Sequence, residues 1–229
     1  MRIIVNSELV KKRAHTAQRA LTTGVMLLVI ALIASFYPRY VSLAYIIMLL
    51  ATVLLVRATR TGNKWLGELR ADKLLSKVLK GLDHRYRLYN YVLPAEHVLL
   101  APAGLFVLLV KRQDGKVSYR GGKWHRQFNW RRIFGILSEE WLNDPCKQAR
   151  IEAEKLHHFV ATNLPDVDVP IQPVIVFVDP QVELNVVNPT VPAVTLGALK
   201  AYLRSAVGDK KLPNKTLEAL VDLFDGQIS

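Results

Sequence analysis

Two uncharged apolar stretches lie almost back to back near the start of the chain, Leu21–Tyr37 and Val41–Val56, with only Pro38, Arg39 and Tyr40 between them. Their 17 and 16 residues stand at the short edge of the roughly 17 to 25 that a membrane-crossing helix needs, so the turn between them belongs at headgroup level. Neither run shows a polar face at the helical or the strand period, and a membrane hairpin is preferred here over a buried hydrophobic helix pair in a soluble core. A cleaved signal peptide also fits poorly. The first run is longer than a usual signal-peptide core, a second run follows it, and no small-x-small cleavage site separates them.

The flanking charges orient such a hairpin. Lys11, Lys12, Arg13 and Arg19 precede it, Arg57, Arg60 and Lys64 follow it, and Arg39 alone lies in the turn. Excess Lys and Arg marks the cytoplasmic side, so both termini are expected in the cytoplasm of a bacterial-type inner membrane. The organisation read from the sequence is a basic N-terminal segment over 1–20, a transmembrane hairpin over 21–56, a linker over 57–64 and a cytoplasmic domain over 65–229.

Charge elsewhere is uneven. The chain carries +12 overall, of which residues 1–132 contribute about +17 and residues 133–229 about −5. A basic half of this kind suits an anionic membrane surface or nucleic acid. Cys146 is the single cysteine, so disulfide scaffolds and cysteine-built zinc or iron–sulfur sites are excluded. Nothing around it suggests a catalytic thiol. His157 and His158 sit about 100° apart on a helix and do not face one metal together.

Beyond Gly62 the pattern is mixed α/β. Trp65–Lys80 reads as an amphipathic helix stopped by Gly81. Tyr86–Leu93, Val98–Ala101 and Leu105–Lys111 read as strands punctuated by Pro94, Pro102 and Gly104, and Lys116–Arg120 as a fourth. Helical spacing follows over Pro145–Asn163, an apolar strand over Val174–Val178, an edge strand over Val182–Val187, and helices over Leu196–Ala206 and Thr216–Phe224. The order is α-β-β-β-α-β with extra helices.

The segments GNKWLGELRADKLL, HVLLAPAGLFVLLVKRQDGKV, Trp124, NDPCKQARIEAEKLHHFV and PVIVFVD, in this order, resemble the nuclease-related domain (NERD). That family is a branch of the PD-(D/E)xK, restriction-endonuclease-like fold, and its members often carry an N-terminal membrane anchor. The resemblance implies an αβββαβ core preceded by the two-helix transmembrane hairpin. It also implies a nuclease that holds Mg²⁺ with clustered acids beside a lysine near the attacking water. Glu68 matches the family's helix glutamate, Glu96 stands where the family has an aspartate before histidine, Lys111 matches the lysine, and Gln148 matches a polar position on the later helix. Glu68 and Glu96 are thus the implied metal ligands, and Glu68, Glu96, Lys111 and Gln148 the implied catalytic set.

One position departs from the family. Its Gly-Ile-Phe-Val-Ile-Glu-x-Lys strand appears here as Gly104–Lys111 with Leu109 in place of the metal-binding acid. A lysine without that neighbour lacks the ion that stabilises the transition state and acidifies the attacking water. Asp72 and Asp114 are the acids that a relocated site would draw on.

Lys111 to Arg132 carry a net +7 with Tyr119, Trp124, Phe128 and Trp130 interleaved. Cations beside aromatic rings suit phosphates and stacked bases, with Lys111, Arg112, Lys116, Arg120, Trp124 and Arg126 as the contact candidates for DNA or RNA. The same cations suit lipid headgroups, and Trp124 suits packing. Three functions remain open at this level: a nucleic-acid-binding domain with a degenerate site, an Mg²⁺-dependent nuclease, and a membrane scaffold binding lipid or a partner protein. The hairpin reading predicts that a reporter fused after Ser229 in a bacterial host reports from the cytoplasm, and a periplasmic signal overturns it.

Overall fold

A computed structural model describes residues 1–67, 70–126, 144–208 and 211–228. The chain divides into two compact units. One holds Ser7–Arg70, and the other joins Met1–Asn6 to most of the chain from Ala71 onward.

The first unit is a helical hairpin: α1 (Ser7–Ser35), a 3-10 turn at Pro38–Tyr40, and α2 (Val41–Trp65). Its helices extend well past the apolar runs. At 1.5 Å per residue they measure about 43 and 37 Å, so the basic flanks are helical rather than linkers. Both are long and apolar enough to cross a membrane. Their contact follows a seven-residue spacing: Val10, Ala17, Gly24 and Ala31 are buried on α1, and Ala44, Ala51 and Ala58 on α2. Small residues every seventh position let two helices approach closely along a slightly supercoiled seam. Gly24 is the tightest point, where an added Cβ would lie 2.6 Å from Leu55 Cδ2. The large apolar side chains, among them Met26, Ile33, Leu49 and Leu50, are exposed instead.

The second unit has a mixed six-stranded sheet in the order β1-β2-β3-β4-β7-β9. Its strands are β1 (Arg2–Val5), β2 (Arg87–Asn90), β3 (His97–Ala101), β4 (Gly104–Lys111), β7 (Ile171–Phe177) and β9 (Ala193–Thr195). Strands β2, β3 and β4 form an antiparallel meander, whereas β4 and β7 pair in parallel. Gly104 makes the tight β3–β4 turn at φ +143°, and a Cβ there would meet Pro170 O at 2.6 Å. A side chain at this position would therefore push β4 away from the entry to β7.

Both faces of this sheet are covered. Helices α3 (Ala71–Leu79) and α5 (Leu196–Val207) place Leu75, Leu79, Leu199 and Leu203 against Leu88, Leu99, Phe106 and Val176. Helices α4 (Pro145–Asn163) and α6 (Asn214–Asp225) place Leu156, Val160, Leu220 and Phe224 against Tyr89, Val98, Leu105 and Val107. Burial on both sides explains why these strands read as continuous apolar runs. A second, three-stranded sheet in the order β6-β5-β8 follows the ends of β4 and β7. It is built from β5 (Gly115–Arg120), β6 (Lys123–Arg126) and β8 (Val182–Val186).

The structure revises several sequence expectations. Trp65–Lys80 is not one helix: α2 ends at Trp65, Gly67 takes φ +82°, and α3 starts at Ala71. Within the basic N-terminal segment, residues 2–5 form β1, a strand the sequence reading did not include, parallel to β2 in the register Arg2↔Arg87 to Val5↔Asn90. The hairpin is thus inserted within the α/β unit rather than placed ahead of it.

Pairing Arg2 beside Arg87 sets two like charges side by side, which by itself disfavours the sheet edge. Asp225, near the end of α6, offsets this. Its Oδ2 lies 3.2 Å from Arg2 Nη1 and 3.0 Å from Arg87 Nη1, and its Oδ1 accepts the Tyr89 hydroxyl at 2.9 Å. Burial, followed by the Asp225 carboxylate, pushes the Tyr89 phenol well above its ordinary range, so it remains a donor. Asp225→Ala is expected to cost about 1–3 kcal/mol, because it strands a buried hydroxyl and two adjacent guanidinium groups. Thermal unfolding of the full-length protein in detergent measures this, and an unchanged midpoint removes the clasp.

Candidate functional site

Along β4 the side chains alternate between the two cores. Phe106, Leu108 and Val110 face α3 and α5, while Leu105 and Val107 face α4 and α6. Leu109 and Lys111 share the latter parity, toward α4. Lys111 is buried, and its Nζ donates to Gln148 Oε1 at 2.5 Å. The start of α4 fixes that partner. Asp144 caps the helix by accepting from Cys146 N at 3.0 Å and Lys147 N at 3.2 Å, Pro145 occupies the first turn, and Gln148 follows within that turn. The Asp-Pro pair was a legible capping signal that the sequence reading did not use.

Leu109 packs in a third core with Cys146, Ala149, Ile175 and Phe177. Where the resemblance implies a metal-binding acid, this chain has an apolar contact with α4. Glu96 is exposed at the end of the β2–β3 loop. The register Val98↔Val107, continued by two residues, sets position 96 opposite position 109. The loop before it is closed by Tyr91 N donating to Glu96 O at 2.7 Å, with Tyr91 buried in the left-handed region at φ 59°. Next to it, His97 Nδ1 lies 2.8 Å from Asn90 Oδ1, and the Tyr91 and His97 rings meet edge-on at 4.9 Å. Asn90 and Tyr91, missed by sequence reasoning, act with His97 to hold the backbone that carries Glu96.

The remaining acids are placed as follows. Glu68 lies outside the described residues. Asp72 is buried in the first turn of α3, and Asp114 is held by Arg126 through both the guanidinium–carboxylate contact and Arg126 Nε to Asp114 O at 3.1 Å. Among the described residues no group of three His, Cys, Asp or Glu side chains fits a metal ion. Of the two implied ligands, Glu96 is described and exposed, and Mg²⁺ sites use one or two carboxylates completed by water and substrate phosphates.

The cationic segment after Lys111 is sorted by the second sheet. Val117, Tyr119 and Trp124 face its inner side. Trp124 lies 5.0 Å from the Tyr119 ring and 5.8 Å from Phe177, and its Nε1 donates to Cys146 Sγ at 3.4 Å. Both aromatic rings that the sequence offered for base stacking in this sheet are thus turned inward. Phe128, Trp130, Arg131 and Arg132 lie outside the described residues. Lys116, Arg120, Lys123 and His125 are exposed, Lys111 is buried, Arg112 is half-buried, and Arg126 is engaged by Asp114. Of the six nucleic-acid contact candidates, only Lys116 and Arg120 combine exposure with a flexible cation.

The profile of the family described as Nuclease-related domain (NERD) matches residues 63–178, half of the chain. No curated protein and no solved structure matches it. The matched span begins in the last turns of α2 and ends just beyond β7. Strand β1 and the elements from β8 onward lie outside it.

The Lys111–Gln148 pair is open to a double-mutant test. Gln148→Leu alone is expected to destabilise the protein by about 1–3 kcal/mol, since it removes an oxygen from a buried ammonium. Adding Lys111→Met is expected to recover part of the loss by removing the charge as well. Additive losses in the full-length protein's thermal midpoint contradict the coupling.

Proposed function

The chain belongs to the nuclease-related domain family, and on that premise we propose that it is a membrane-anchored nucleic-acid-binding protein whose cleavage centre no longer holds its metal. The observation that carries this reading is Leu109. It takes the position of the family's metal-binding acid, two residues before Lys111, and packs with Cys146 and Ala149 of α4. An apolar side chain there supplies neither a ligand nor the electrostatic environment that metal-assisted hydrolysis requires.

Membrane anchoring is supported by the hairpin's exposed Met26, Ile33, Leu49 and Leu50, whose hydration is unfavourable in water. The parallel β1–β2 pairing supports the orientation. It joins the segment before the first helix to the domain after the second, so the chain crosses an even number of times. With the basic flanks on the same side, the domain lies in the cytoplasm.

The Lys111–Gln148 hydrogen bond and the exposure of Glu96 favour a surviving Mg²⁺-dependent nuclease as the second reading. In that case Glu68 and Glu96 hold Mg²⁺, and Lys111 positions the water.

Full-length protein in lipid nanodiscs separates the two. The expected result is retention of labelled DNA or RNA at ~0.15 M salt, with the strand uncut in Mg²⁺. Leu109→Glu is expected to introduce Mg²⁺-dependent cutting. Cutting by the unmodified protein, abolished by Lys111→Ala, overturns the proposal in favour of the active enzyme. Absence of any nucleic-acid binding points instead to a scaffold for lipid or protein.

A further inference from the structure

The three-stranded sheet has two unlike faces. Its inner face carries Val117, Tyr119, Trp124 and Leu184 into the third core. Its outer face carries Lys116, Ser118, Arg120, Lys123, His125, Glu183 and Asn185, and all of these but Lys123 line an open groove of ≈ 730 Å³. The register sets Arg120 directly across from Lys123, and His125 across from Ser118, whose other neighbour is Asn185. Among the described residues neither Arg120 nor Lys123 pairs with a carboxylate. Lys116 faces Glu183 in register, with Nζ 3.6 Å from Oε2 at a solvent-exposed position.

We propose that this outer face is the nucleic-acid-binding surface and that it takes the phosphate backbone of a duplex rather than the bases of a single strand. The inference rests on the nucleic-acid reading above and assigns its substrate class.

Proteins that hold single strands stack bases on aromatic rings, at about 1–3 kcal/mol per base. On this face, among the described residues, the only ring is the His125 imidazole, because Tyr119 and Trp124 serve the core. What remains is a set of exposed cations and hydrogen-bond donors on paired strands. Arg120 and Lys123 sit on adjacent strands about 4.8 Å apart and form a doubly cationic point. Lys116 lies four residues back along β5, about 13 Å away. That separation matches the ≈ 12 Å width of a duplex major groove, so the two points can engage the backbones on either side. Ser118, His125 and Asn185 fill the middle with hydrogen-bonding groups. Glu183 opposes binding, because a phosphate that approaches Lys116 also meets its carboxylate.

The test uses full-length protein in zwitterionic nanodiscs, with a fluorescein-labelled 20-base-pair DNA duplex and its isolated strand as probes over a salt series. Duplex is expected to bind at least about tenfold more tightly than the single strand. The triple variant Lys116→Gln/Arg120→Gln/Lys123→Gln is expected to lose more than about tenfold in duplex affinity and to lower the log–log salt slope by about 2–3, near 0.9 per lost phosphate contact. Glu183→Gln is expected to tighten binding about two- to fivefold, the size of a removed solvent-exposed charge effect. An unchanged thermal midpoint in each variant shows that the fold is kept.

Equal or stronger binding of the single strand overturns the substrate assignment. Duplex binding that survives the triple variant overturns the surface while leaving the nucleic-acid reading in place. No binding of either probe by the unmodified protein overturns both.

Discussion

The parallel pairing of β1 with β2 is the constraint on which the rest of the molecule depends. Four residues at the start of the chain, Arg2–Val5, form the edge of a sheet whose other strands come after the apolar hairpin. Only Asn6 separates that strand from α1. The α/β unit is therefore completed by residues on both sides of the hairpin, and its edge closes only when the two sides meet. Asp225 reinforces this closure from the C-terminal helix by neutralising the adjacent Arg2 and Arg87 while accepting the Tyr89 hydroxyl. A fragment that begins after the hairpin would lack this edge and expose the hydrogen-bonding groups of β2.

Within that frame, β4 separates structure from chemistry by alternation. One side of the strand serves the α3/α5 core. The other runs from Leu105 through Val107 and Leu109 to Lys111, and ends in a buried ammonium paired with Gln148. A carboxylate at position 109 would have been a charge next to Lys111, suited to holding a cation. A leucine there extends the apolar core to Cys146 and Ala149. At this strand end the leucine makes position 109 a packed one. The second sheet repeats this logic, since alternation along β5 and β6 gives the rings to the core and the cations to solvent.

Residues 180–229 read in the linear sequence as an edge strand and two helices, and the fold shows what these elements cover. Strand β9 forms an edge of the main sheet, β8 completes the second sheet, α5 covers one face of the main sheet, and α6 covers the other. Phe224 meets Tyr89 edge-on at 5.3 Å, a contact no local pattern announces because the two residues lie 135 positions apart.

The sequence by itself determined the properties that depend on composition and local period. These are the two apolar helices with basic flanks, the meander followed by a helix and an apolar strand, the helix opened by Asp144-Pro145, and the leucine at position 109. Tertiary structure decided what depends on distant partners. The run Arg2-Ile3-Ile4-Val5 is too short to identify as a strand until β2 lies beside it. The spacing of Val10, Ala17, Gly24 and Ala31 shows its purpose only when Ala44, Ala51 and Ala58 face it. The basic stretch after Lys111 has one composition but two faces, and pairing with β8 settles which residues turn outward. A strand's alternation is visible in its letters, but the face that meets the core is set by where the rest of the chain packs.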